Sequence, residues 1–125
     1  MIRKAFGLTA LGFVIAACSS APTEAPANLA GDWVATGYWC ESDIPEERLT
    51  ITVSGNVVTA TKTTGDNCVP ANTVSWTGTY ADGKIPVKFT VSSGPGTPLS
   101  EIDEVMTVNA DGTITGYGTT LTRAE

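Results

Sequence analysis

Three observations predict an all-β domain. From Leu29 onward apolar and polar residues alternate with period two, threonine is frequent, and clusters of Gly, Asn and Asp punctuate the chain at short intervals. Helix signatures are absent. Seven to eight short strands are expected, mostly joined by hairpins. That pattern describes a small antiparallel meander, closed as a barrel or, alternatively, folded as a β-sandwich.

The chain begins differently. Met1-Ile2-Arg3-Lys4 is a short basic segment, and Ala5 to Ala17 is apolar but too short for a stable membrane-spanning helix. The run ends Ile15-Ala16-Ala17-Cys18, which resembles the lipobox of bacterial lipoproteins. The resemblance implies a signal peptide over residues 1–17, cleavage before Cys18, and lipidation of Cys18. It also implies a bilayer partner reached through N-terminal acyl chains, each buried methylene contributing roughly 0.8 kcal/mol. Ser19 stands where an aspartate would mark inner-membrane retention, so the implied location is the outer membrane, facing the periplasm or the cell surface. Residues 18–29 are small, polar and proline-containing, and are expected to form a tether. Residues 30–125 form the β-domain.

Without Arg3 and Lys4, five basic side chains face 13 acidic ones, so the net charge moves from −6 to −8. Such a domain repels nucleic acid. Once Cys18 is committed to lipid, Cys40 and Cys68 remain, and an exported compartment favours their disulfide. Closing that loop stabilises the fold by roughly 3 to 4 kcal/mol in the chain-entropy model. A metal site at these thiols would need further ligands, and the chain has no histidine.

The first strand is expected over Asp32 to Cys40, followed by an acidic loop in which Pro45 bars continuation. Leu49, Ile51 and Val53 alternate with Thr50 and Thr52, and Ser54-Gly55-Asn56 turns into a strand over Val57 to Thr63. After a turn at residues 64–67 comes Cys68. Val74, Trp76, Gly78 and Tyr80 then alternate with polar partners. Ala81-Asp82-Gly83 turns into Ile85, Val87, Phe89 and Val91, where Pro86 implies an edge or a bulge. Ser92 to Ser100 is a Gly/Pro loop. Ile102, Met106 and Val108 share one side of the next strand, and Asn109 to Gly112 turns into Thr113 to Arg123. Gly116 and Gly118 imply a bulge there. An up-down-up course of the first three strands brings Cys40 and Cys68 to the same end.

Gly31-Asp32-Trp33 opening the first strand, with Arg123 closing the last, resembles the calycin pattern. In lipocalins and their relatives a Gly-x-Trp tryptophan packs at the barrel base and an arginine from the final strand lies across it. The resemblance implies a calycin-like barrel in which Trp33 is the floor and Arg123 its cation–π cover. In size the domain is similar to bacterial metalloprotease inhibitors, small exported barrels with a Gly-x-Trp start and one disulfide.

Chemistry is sparse. A nucleophile would need an activating base, yet histidine and a Gly-x-Ser-x-Gly elbow are both missing. Carboxylates cluster at Glu41, Asp43, Glu46 and Glu47 and at Glu101, Asp103 and Glu104, in or beside polar loops where solvated charge is expected. With Asp66 and Asn67 the first cluster offers oxygen ligands for Ca²⁺, but without EF-hand spacing, so neither metal nor cofactor is expected. Trp33, Trp39, Trp76, Tyr80 and Phe89 read as core, or alternatively as the lining of an apolar pocket. Tyr38 and Tyr117 are expected to face outward. Pro95, Thr97 and Leu99 lie on the long late loop, whose prolines lower the ordering cost of binding. The candidate binding residues are therefore Trp33, Trp39, Trp76, Tyr80, Pro95, Thr97, Leu99 and Arg123. The functional expectation is a non-catalytic, envelope-anchored domain that binds a protein partner, inhibition of a hydrolase included. The alternatives are a carrier of small apolar ligands or a structural lipoprotein.

Overall fold

Period-two alternation leaves each strand with one apolar face, and the chain buries all of these faces together by rolling one sheet shut. The computed structural model describes residues 24–37, 46–65 and 68–124. A 3-10 turn at Ala27–Leu29 precedes eight strands: β1 Gly31–Thr36, β2 Glu47–Ser54, β3 Val57–Lys62, β4 Val74–Thr79, β5 Lys84–Val91, β6 Ser100–Val108, β7 Ile114–Gly116 and β8 Thr119–Arg123. Each pairs antiparallel with the next, and β1 pairs with β8 through Trp33↔Arg123 to Thr36↔Thr120, so the sheet is a closed barrel. Closure removes the exposed edges that an open sheet must protect. The sandwich alternative does not occur.

The inward side chains form one cluster. Trp33, Ile51, Val58, Trp76, Ile85, Met106, Ile114 and Leu121 are fully buried, and Tyr80, Val53, Val91, Ile102, Val108 and Tyr117 pack around them. Leu49, Val87 and Phe89 complete the layers. Trp76 is thus core, as is Trp33, and Phe89 joins them. Ala25 and Leu29, in the stretch expected to be a tether, are also buried against this cluster.

Four local expectations are corrected. β1 ends at Thr36, and Gly37 follows at φ 87°. A Cβ there would lie 2.3 Å from the Gly118 carbonyl oxygen, so only glycine fits this approach. Residues 38–45, with Trp39 and Cys40, lie outside the described residues. In β4 the register shifts between Ala60↔Trp76 and Thr61↔Val74. Ser75 is the extra residue of this bulge, which turns Val74 outward to 40% exposure while Ser75 and Trp76 are buried.

β5 is not an edge, being paired to both β4 and β6. Its ladder to β4 stops at Gly78↔Val87, one residue short of Pro86, whose missing N–H could not have carried it further. Finally, the Gly-rich end of the chain is a hairpin and not a bulge. Tyr117 (φ 50°) and Gly118 (φ 73°) form its two-residue turn between β7 and β8, the handedness that suits a twisted hairpin.

Two sites show how sequence sets these contacts. A Cβ on Gly78 would sit 1.9 Å from the Pro86 carbonyl oxygen, so β4 and β5 touch there through bare backbone. In the β6–β7 turn the Asp111 carboxylate accepts hydrogen bonds from the Thr113 backbone N–H at 3.0 Å and its hydroxyl at 2.7 Å. Those two bonds, the backbone one foremost, hold the Asp111 carboxyl below its usual pKa of 3.8.

Gly78→Ala should therefore lose roughly 1–3 kcal/mol of stability in urea unfolding, because backbone rather than a flexible side chain must yield. The pH response of Asp111 has a fixed sign. Its folded pKa lies below its unfolded one, so its contribution is complete above the ordinary carboxylate range and fades as pH falls through the lowered value. A carboxyl-carbon NMR titration should find Asp111 titrating below the ordinary aspartate value, and Asp111→Asn should flatten that part of the stability profile.

Candidate functional site

The up-and-down course gives the barrel two unlike ends. At one end lie the 3-10 turn and the β2–β3, β4–β5 and β6–β7 turns. At the other lie the connections between β1 and β2, β3 and β4, β5 and β6, and β7 and β8.

The first end is a closed floor. Trp33 is 1% exposed, and its indole Nε1–H donates to the Leu29 carbonyl at 2.9 Å. The Arg123 guanidinium lies 4.4 Å from the centre of the Trp33 ring. Its Nη1 donates to the Ala30 carbonyl at 3.0 Å, and its Nη2 to the Asn28 carbonyl. One cation thus caps the ring and ties down two otherwise open carbonyls of the 3-10 segment. Gly31 explains the spacing of the motif: at φ 132° it places its would-be Cβ 3.0 Å from Arg123 Nη1, so a side chain would crowd the guanidinium. The chain reaches this floor from outside, with the Ala25 N–H donating to the Gly55 carbonyl at the β2–β3 turn.

The opposite end is polar and built from loops. Glu47 begins β2 on its inward face and Lys62 ends β3 on its own, and they form an ion pair that is almost wholly buried (6% and 3% exposed). The Lys62 backbone accepts from Asn72 N–H at 2.7 Å and donates to the Thr73 carbonyl at 2.9 Å, so the end of the loop leading into β4 is fastened beside the pair. Val69 in that loop is buried. Nearby, Phe89 and Tyr117 pack with ring centres 5.0 Å apart, which corrects the outward placement of Tyr117.

The 92–99 loop is exposed but internally braced. Ser92 Oγ accepts from the Gly94 N–H at 3.1 Å and meets Thr97 Oγ1 at 2.9 Å, while the Thr97 N–H and hydroxyl both donate to the Gly94 carbonyl. Pro95, Thr97 and Leu99 are all exposed, Leu99 at 40%.

The candidate binding residues therefore separate. Trp33 and Arg123 are floor, Trp76 is core, and Tyr80 is half-buried against the core at the floor end. Among the described candidates, Pro95, Thr97 and Leu99 are the ones brought together on one exposed loop. Trp39, Cys18 and Cys40 lie outside the described residues, as do Tyr38, Glu41, Asp43, Asp66 and Asn67. Glu47 is no solvated rim residue, since Lys62 engages it inside the barrel. The alternation held the signal: extending Leu49, Ile51 and Val53 back one step puts Glu47 inward, and extending Val58 and Ala60 forward puts Lys62 inward. Of the second acidic cluster, Asp103 pairs with Lys88 at 2.5 Å, a bond that raises the Lys88 pKa above its usual 10.5. Among the described residues no group of three His, Cys, Asp or Glu side chains is placed to hold a metal ion. Comparison of the chain with protein-family models, curated proteins and solved structures found no match to any of them.

The buried pair gives a prediction. Lys62→Met should cost about 3 to 5 kcal/mol by stranding the Glu47 charge, whereas Glu47→Leu with Lys62→Met should be near neutral or stabilising. A double-mutant cycle in urea checks this; equal losses from the single and double variants would contradict it.

Proposed function

We propose that this chain is an exported envelope lipoprotein whose calycin-like barrel binds a protein partner through its loop end. The observation that carries the reading is the polarity of the barrel. The N-terminal segment reaches the domain at the closed floor, beside Gly55, so a membrane anchor at Cys18 leaves the opposite loops facing away from the bilayer. Among the described residues of those loops, 92–99 is exposed and braced by its own hydrogen bonds and prolines, which reduces the entropy lost on docking. Packing of the large inward side chains into one cluster favours a surface-binding module over a carrier.

In this reading the Cys40–Cys68 disulfide staples the loop end. Its support is the oxidising compartment that an exported chain would enter, together with the place of Cys68 on the connection between β3 and β4, at the loop end. The partner is a periplasmic or surface protein. A hydrolase held by the 92–99 loop is the inhibitor form of the same proposal.

The test is native mass spectrometry of the chain extracted from its own membranes, as wild type and with 95–99 replaced by a Gly/Ser linker. An acylated mass two hydrogens below the dithiol form, with a protein adduct lost in the loop variant, is the expected result. An unacylated chain overturns the anchor. A small-molecule adduct retained in the loop variant overturns the binding mode in favour of a carrier.

A further inference from the structure

The barrel wall holds a second feature, far from the loop end. Val105 is 49% exposed, the highest value among the exposed large apolar side chains of the described residues. It lies in register with Pro86 on the neighbouring strand, and both face outward. A groove of about 420 Å³ runs over Gly78 and is lined by Pro86 and Val105 themselves. Two residues along the strands, Lys88 and Asp103 are also in register. They face outward too, with side chains 60% and 81% exposed. The face therefore reads lysine over proline on β5 and aspartate over valine on β6.

We infer that this face is the contact between two copies of the chain, related by a two-fold axis that runs parallel to the strands between β5 and β6. Such an axis sets β5 of one copy across β6 of the other at equal height. Each Lys88 then meets the second copy's Asp103, and each Pro86 meets the second copy's Val105, whose side chain reaches the groove over Gly78. A two-fold axis crossing the strands is disfavoured, because it would oppose Lys84 to the second copy's Lys88. The self-complementary order of charges selects a second copy as the occupant, since an isologous contact requires one patch to fit itself. The contact rests on four side chains per copy, far fewer than the roughly 20 a side of a stable interface, so association is weak and shows at high concentration.

Native mass spectrometry of the detergent-solubilised full chain tests this, over about 10 to 500 μM. The wild type should dimerise toward the upper end. Lys88→Glu and Asp103→Lys should each weaken the dimer at least tenfold, because each creates like-charge contacts across the axis. Mixed one to one, the two variants should form a heterodimer, in which both cross-axis pairs are opposite in sign again. Loss of the pair inside one copy cannot produce that rescue, since neither variant regains it. Val105→Asp should also abolish the dimer while leaving the melting temperature near that of the wild type. A monomeric wild type throughout, a dimer that both charge variants retain, or a mixture that stays monomeric would overturn the inference.

Discussion

The whole architecture depends on the first and last strands meeting. β1 and β8 are about ninety residues apart in the chain, and nothing local holds them together. What holds them is a ladder of backbone pairs from Trp33↔Arg123 to Thr36↔Thr120, sealed at its lower end by the guanidinium over the indole. Arg123 is more than a lid. Its bonds to the Asn28 and Ala30 carbonyls fasten the segment that Trp33 Nε1 also grips through Leu29, so the floor and the seam of the barrel are one network. Since every other strand is already paired to its sequence neighbour, this single non-local seam decides between a curled open sheet and a closed barrel. Such a pairing forms late and at a high loop-closure cost, which favours a strong contact at its origin.

Much of this was legible. Strand positions followed from alternation, and the floor contact followed from Gly31, Trp33 and Arg123, because a motif tied to one geometry carries that geometry with it. The failures share a cause. Val74 was placed inward because alternation assumes an unbroken register, and the bulge at Ser75 is invisible to a period count. Tyr117 was placed outward because the Gly116–Gly118 pair signals irregular backbone without saying whether a bulge or a hairpin uses it. Pro86 was read as an edge or a bulge, although a closed barrel has no edge and the ladder to β4 simply stops short of it.

Glu47 failed differently: continued alternation puts it and Lys62 inward, and only the charge of Glu47 argued for solvent. A charged residue at a strand end is usually solvated, and the preference for exposing charge outweighed the pattern. The two charges become compatible with burial only as a pair, and no rule applied to one strand at a time can see the partner on the next.

That pair also bears on how the chain avoids the wrong barrel. β2 and β3 both alternate threonine with aliphatic residues, so neighbouring registers differ little in propensity or in apolar area. A one-residue slip of β3 against β2 turns the inward set of one strand outward. Glu47 or Lys62 would then remain inside without its counterion, at a cost of several kcal/mol, far more than a shifted valine or threonine would cost. Paired, the two charges add little to stability compared with apolar residues of similar size. Their effect falls on the alternatives. An interior salt bridge between adjacent strands penalises each misregistered sheet more than it rewards the correct one, and in a small barrel whose closing seam lies at the far ends of the chain, register must be right before the seam can form.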